Sequence, residues 1–93
     1  MIVRFTPRAE ADLEAILGYL ERRSSEGANT VAAALRQAIE FVTNHPRSGA
    51  STRRPQVFVK IVPKYPYKIF YQLRKDSIDI LHIRHSARRP WVV

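Results

Sequence analysis

Two neighbouring runs restrict the fold more than anything else in this chain. Tyr65-Pro66-Tyr67-Lys68-Ile69-Phe70-Tyr71 continues to Leu73, and Ile78-Asp79-Ile80-Leu81-His82-Ile83-Arg84 follows it. Both are rich in the β-branched and aromatic residues that suit a pleated, half-buried surface. The link between them, Arg74-Lys75-Asp76-Ser77, is polar and short enough for a hairpin. In the first run Tyr67, Ile69, Tyr71 and Leu73 alternate with Lys68, Phe70, Gln72 and Arg74, as in a strand with one buried face. In the second, Ile78 and Ile80 fall on one face and Leu81 and Ile83 on the other, the pattern of a central strand.

The upstream residues supply what such a sheet needs to bury. Met1–Phe5 is a short β-branched run and reads as a first strand. Thr6 can cap a helix, Pro7 suits its first turn, and Glu10 and Asp12 suit the positive end of its dipole. Ala9, Leu13, Ile16, Leu17 and Leu20 then form one apolar stripe. Gly18 should weaken this helix by roughly 1 kcal/mol relative to Ala, unless another backbone approaches it closely. After Ser24-Ser25-Glu26-Gly27, a second stripe runs through Ala28, Val31, Ala32, Leu35, Ile39 and Val42. It should end near Asn44-His45-Pro46, because the residue before proline avoids the helical region. Residues 46–56, with Gly49 and Pro55, read as a loop, and Val57–Val62 reads as another strand. The order is β-α-α-β-β-β. The expected class is α+β: an N-terminal strand, an antiparallel two-helix hairpin, then a three-stranded antiparallel meander with both helices on one sheet face. All 93 residues fit a single domain, 1–93.

Charge is distributed unevenly along this order. Residues 1–45 carry five Lys/Arg against six Asp/Glu, whereas residues 46–93 carry eleven against Asp76 and Asp79 alone. The strand-rich half is therefore the basic half, and a field of that sign attracts polyanions or acidic proteins. The chain has no cysteine, which excludes disulfides and thiolate metal sites and suits a reducing cytoplasm. No apolar run approaches the ~20 residues of a membrane helix, so no membrane association is expected. No cofactor or metal is expected either.

Read in order, "TPRAEADLEAILGYL", "NHPRSG", "YPYKIFYQL" and "IDILHIRHSARRPW" resemble the RelE/ParE superfamily of toxins from type II toxin–antitoxin modules, closest to its ParE-like branch. Pro7, Ala9, Asp12 and Leu13 match the family's helix start, and Pro46 and Gly49 the segment after the second helix. The resemblance implies a cytoplasmic growth-inhibiting toxin of the plasmid-stabilisation kind, held in a hetero-oligomer with a small cognate antitoxin. ParE-like members are reported to inhibit DNA gyrase. RelE-like members are ribonucleases that cleave messenger RNA on the ribosome.

The candidate residues follow from those alternatives. A metal-free ribonuclease needs a base, cations for the phosphorane and an acid for the leaving oxygen. His85, Arg88 and Tyr71 are the candidates for such chemistry. Two departures count against it: the tail has Trp91 and no tyrosine after His85, whereas RelE-like ribonucleases often carry a late tyrosine, and residues 50–75 contain no acid. For binding a large target without catalysis, the candidates are Lys60, Lys64, Lys68, Arg84, Arg88, Arg89 and Trp91. A basic nucleic-acid-binding module without toxicity is the remaining alternative. For the antitoxin, the wide helical stripes suggest Leu13, Leu17, Leu20, Val31 and Leu35.

Overall fold

A computed structural model describes residues 1–87 of the chain. Its elements are β1 (Ile2–Phe5), α1 (Pro7–Glu21), α2 (Ser25–Asn44), β2 (Ala50–Ser51), β3 (Val57–Ile61), β4 (Tyr67–Leu73) and β5 (Ser77–His85). The class is the expected α+β arrangement, with the helices packed against a sheet. The sheet itself is mixed, in the order β1-β5-β4-β3-β2. β3, β4 and β5 form the antiparallel meander, while β1 joins the far side of β5 in parallel, Ile2 opposite Ser77 and Phe5 opposite Ile80. The helical hairpin is thus the crossover that parallel pairing requires. The short β2 lies inside the stretch read as a loop, with Ala50 opposite Val59.

Local signals explain the helix ends. Thr6 caps α1 by accepting from the Ala9 N–H at 3.1 Å, and Ser24 caps α2 by accepting from the Gly27 N–H at 3.0 Å. His45 closes α2, just ahead of Pro46. Gly18 has no backbone neighbour: a Cβ there would meet only the Arg22 Nη1 atom at 3.7 Å. The idea of a close approach at Gly18 is therefore corrected, and its cost to the helix is uncompensated.

The core joins Ala9 and the α2 residues Val31, Leu35, Ala38 and Val42 to Tyr67, Ile69, Tyr71, Ile78, Ile80 and Ile83 of the sheet. Leu13, Ile16, Leu17 and Leu20 pack against its margin, half-buried. Burial here corrects part of the expected antitoxin surface, since Val31 and Leu35 are buried in the protein's own core. Register places Lys68, Phe70 and Gln72 on the sheet face turned from the helices.

The elements give the molecule two distinct ends. α1 runs alongside β5, and α2 returns, so the β3–β4 turn, the α1–α2 link and the end of β5 share one end. The β4–β5 turn, the start of β3 and the end of α2 share the other.

Candidate functional site

The site containing His85 grows from an edge left open in the sheet. β1 stops at Phe5, opposite Ile80, but β5 continues to His85. At this point Thr6 donates its backbone N–H to the Ile80 carbonyl at 3.0 Å, and its hydroxyl lies 3.0 and 3.1 Å from the carbonyls of Ile80 and Leu81. The β4–β5 pairing also shifts here: Phe70 faces His82 and Tyr71 faces Ile80, so Leu81 is an extra residue. Beyond it α1 takes the place of a neighbouring strand. Asp12 Oδ2 accepts the Ile83 backbone N–H at 3.0 Å and lies 2.6 Å from His82 Nδ1. Asp12 Oδ1 accepts from Arg8 Nε at 3.2 Å. One helical carboxylate thereby ties down a ladder position, a buried ring and a surface guanidinium.

A groove of about 760 Å³ runs along this junction, lined on the α1 side by Arg8, Asp12, Ile16, Tyr19 and Arg22 and on the sheet side by Tyr67, His82, Arg84 and His85. His85 stands edge-on to Tyr67, with ring centroids 5.6 Å apart. His85 Nδ1 accepts the Ala87 N–H at 3.1 Å. A neutral ring that accepts at Nδ1 carries its proton on Nε2 and presents a donor there. The groove's carboxylate, Asp12, is engaged with three donors.

Tyr71 does not belong to this groove. It lies four residues along β4 from Tyr67, about 13 Å at the usual strand rise. It is fully buried, donating its hydroxyl to the Pro46 carbonyl at 2.8 Å and accepting the Gly49 N–H at 3.1 Å. Burial pushes its phenol above the ordinary tyrosine range, and hydrogen bonds from Gly49 and Ser48 only partly offset this. The expectation that Tyr71 joins His85 in acid–base chemistry is corrected on those grounds: the side chain is a clamp for the 46–49 loop. Gly49 is required by the same clamp, since a Cβ would sit 2.7 Å from the Tyr71 hydroxyl and 2.9 Å from the Val59 carbonyl.

The remaining expected cations are not in one patch. Arg84 lines the α1–β5 groove and stands opposite Lys68 in the register. Lys60 and Lys64 line a second groove, about 1030 Å³, between α2 and the β3–β4 hairpin. Its floor is apolar, from Ala33, Ala34, Ala38 and Phe41, and Lys60 Nζ lies 4.4 Å from the Phe41 ring centroid. Phe41 is 45% exposed, an unusually open position for a large aromatic side chain. Arg88, Arg89 and Trp91 lie outside the described residues. Sequence reasoning missed two features. Asp12 follows Ala9 by three residues, so its position on the stripe was the available signal. The α2 groove is made by small side chains, which an apolar stripe does not distinguish from core.

A β-α-α-β-β-β-β chain with this edge geometry falls within the RelE/ParE class of small toxins. A family model described as "ParE toxin of type II toxin-antitoxin system, parDE" matches residues 3–90. The chain belongs to that family. Toxin RelE2 of Caulobacter vibrioides is 34% identical over 86 residues, covering 92% of this chain and 96% of that protein. A Sinorhizobium fredii relative described as "Putative toxin Y4kP" is 29% identical over 89 residues, covering 96% of this chain and 91% of that protein. A chain of the chromosomal ParDE TA system from P. aeruginosa shares the fold with a TM-score of 0.76 at 22% identity, over 91% of this chain and 95% of that one. The protein is therefore a toxin of a type II toxin–antitoxin system, and an antitoxin partner is implied. No helix among the described residues is long and apolar enough to cross a membrane.

Proposed function

We propose that this toxin inhibits growth by binding DNA gyrase, without acid–base chemistry of its own, and that a cognate antitoxin blocks it. The observation that carries the non-catalytic part is the His85 hydrogen bond: Nδ1 is taken by Ala87, and no described carboxylate contacts the ring. Membership of the ParE family supports gyrase as the target. The target surface is the α1–β5 groove with Lys68 and Arg84, and Arg88, Arg89 and Trp91, outside the described residues, are the further candidates. The antitoxin seat is the α2–hairpin groove, where an apolar helix would cover Phe41 and its acids would meet Lys60 and Lys64. Leu13, Leu17 and Leu20 offer only half-buried flanks to such a partner.

Induction in growing cells tests this reading. Plasmid topology and messenger-RNA integrity are followed together after induction. Loss of negative supercoiling with intact messenger RNA is the expected result. Rapid messenger-RNA cleavage with unchanged supercoiling would establish the ribonuclease instead.

A further inference from the structure

The end of the molecule opposite His85 carries a cluster of cations that neither the toxin reading nor the antitoxin seat uses. A cleft of about 850 Å³ opens there between the end of α2 and the β4–β5 turn, lined by His45, Arg47, Ser48, Gln56, Arg74 and Lys75. Arg53 and Arg54 lie in the adjoining turn, which is fastened by the Val57 N–H to the Arg54 carbonyl at 3.1 Å and by Thr52 Oγ1 accepting from the Arg54 N–H at 3.1 Å. The Leu73 N–H reaches the Gln56 carbonyl at 2.8 Å and joins this turn to the cleft wall. The loop bearing Arg47 is held by the buried Tyr71 hydroxyl on both sides, at Pro46 and Gly49. The cations therefore stand on short, pinned loops.

The nearby acids do not balance them. Asp79 is engaged by Arg74 at 2.6 Å and Arg4 at 3.1 Å. Asp76 is exposed in the turn beside Lys75. Arg47, Arg53, Arg54 and Lys75 are all exposed, and among the described residues none forms an ion pair. Four like charges at one end of so small a domain repel one another unless a polyanion meets them. The nature of the polyanion follows from what surrounds them. Single-strand binders stack bases on open aromatic rings, but the one ring at this cleft, His45, is packed against Phe41 with centroids 4.6 Å apart. Met1, Pro46 and Leu73 form the apolar part of the cleft's lining, and no carboxylate among the described residues lines it. Guanidiniums without a stacking platform match the regularly spaced phosphates of a duplex.

We propose that this end of the protein is a sequence-independent binding site for the phosphate backbone of a nucleic-acid duplex, through Arg47, Arg53, Arg54 and Lys75. The site is separate from the His85 groove and does not depend on the identity of the toxin's target. The same backbone chemistry occurs in DNA and in paired RNA.

Fluorescence anisotropy with labelled duplexes of about 20 base pairs tests the site, using DNA, RNA of the same sequence, a DNA single strand and polyglutamate. A plot of log affinity against log salt should slope at about −3 to −4 for duplex DNA, from roughly −0.9 for each of four phosphate contacts. The variant R47Q/R53Q/R54Q/K75Q should lose at least about tenfold in duplex affinity and most of that slope. The variant R23E/R36E lowers the net charge by the same amount, outside every groove described above, and should stay within about threefold of the parent. Circular dichroism and thermal melting check that both variants fold. A stronger DNA than RNA signal names DNA as the source, and the reverse names RNA. Equal loss in the two variants would reduce the effect to net charge and overturn the site. Tighter binding of polyglutamate than of duplex would overturn it in favour of an acidic protein partner, and tighter binding of the single strand would overturn the duplex assignment.

Discussion

The two ends of this toxin use charge in opposite ways. At the His85 end, the groove's one carboxylate among the described residues, Asp12, meets Arg8, His82 and the Ile83 N–H together, and His85 is itself tied to Ala87. At the other end, Arg47, Arg53, Arg54 and Lys75 project from loops that neutral contacts hold in place. The difference teaches that a histidine and arginines in one groove do not by themselves make a catalytic centre. Here Asp12 and His82 hold α1 to the open edge of β5. Arg47, Arg53, Arg54 and Lys75, exposed and without an ion pair among the described residues, lie at the opposite end.

Four changes would break or sharpen this contrast. The largest effect is expected from Asp12→Ala, which strips the acceptor from a buried ring and a ladder N–H at once. It should destabilise the fold by about 3 kcal/mol, whereas Asp12→Asn should lose less because it keeps one acceptor. Urea melts of the two variants decide this, and equal losses would show that Asp12 acts only through helix packing. Next is Tyr71→Phe, which removes the clamp at the opposite end. It leaves the Gly49 N–H and the Pro46 carbonyl without their partner and should cost about 1–2 kcal/mol. Amide exchange should quicken in residues 46–49 and remain unchanged around Asp12.

A smaller effect concerns Asp79. Burial raises its carboxyl pKa, but hydrogen bonds from Arg74 and Arg4, with their charges, outweigh this and hold it below the ordinary aspartate range. A lowered folded-state pKa means that the stabilisation is present above the unfolded value, about 3.9. It is lost as pH falls through the folded one. Thermal melts from neutral pH downwards should show a loss below about pH 4 that is reduced in Asp79→Asn. The smallest change is a gain. Gly18→Ala should stabilise α1 by about 0.5–1 kcal/mol, because the added Cβ meets only ordinary contact with Arg22. A lower melting temperature in this variant would reveal a packing role that the geometry does not contain.

Much of the fold was legible because periodicity and capping agree. Thr6 and the His45-Pro46 stop mark helix ends, and the alternation from Tyr67 to Leu73 marks the buried face of β4, whereas Ser24–Gly27 read as a connection although Ser24 caps α2 and the helix begins at Ser25. The parallel seat of β1 was not legible, since a short apolar run does not reveal which edge it joins. The site was less legible than the fold. His85 and Tyr67 are neighbours across a strand pair, but Tyr71 carries the same residue type on the same face and serves as a structural clamp. Val31 and Leu35 could not be separated from surface residues by their stripe alone, because core and docking faces share one spacing. The segregation of charge in the sequence did become a spatial fact, but as several separate clusters rather than one rim.

A supercoiling assay with purified gyrase tests the central claim most directly, comparing the toxin with His85→Ala and with Lys68→Ala/Arg84→Ala. Binding without acid–base chemistry requires the parent and His85→Ala to inhibit to within about threefold of each other, roughly 0.7 kcal/mol, while the double variant loses at least tenfold. Undiminished supercoiling with the parent toxin, or inhibition abolished by His85→Ala in a folded protein, would contradict it.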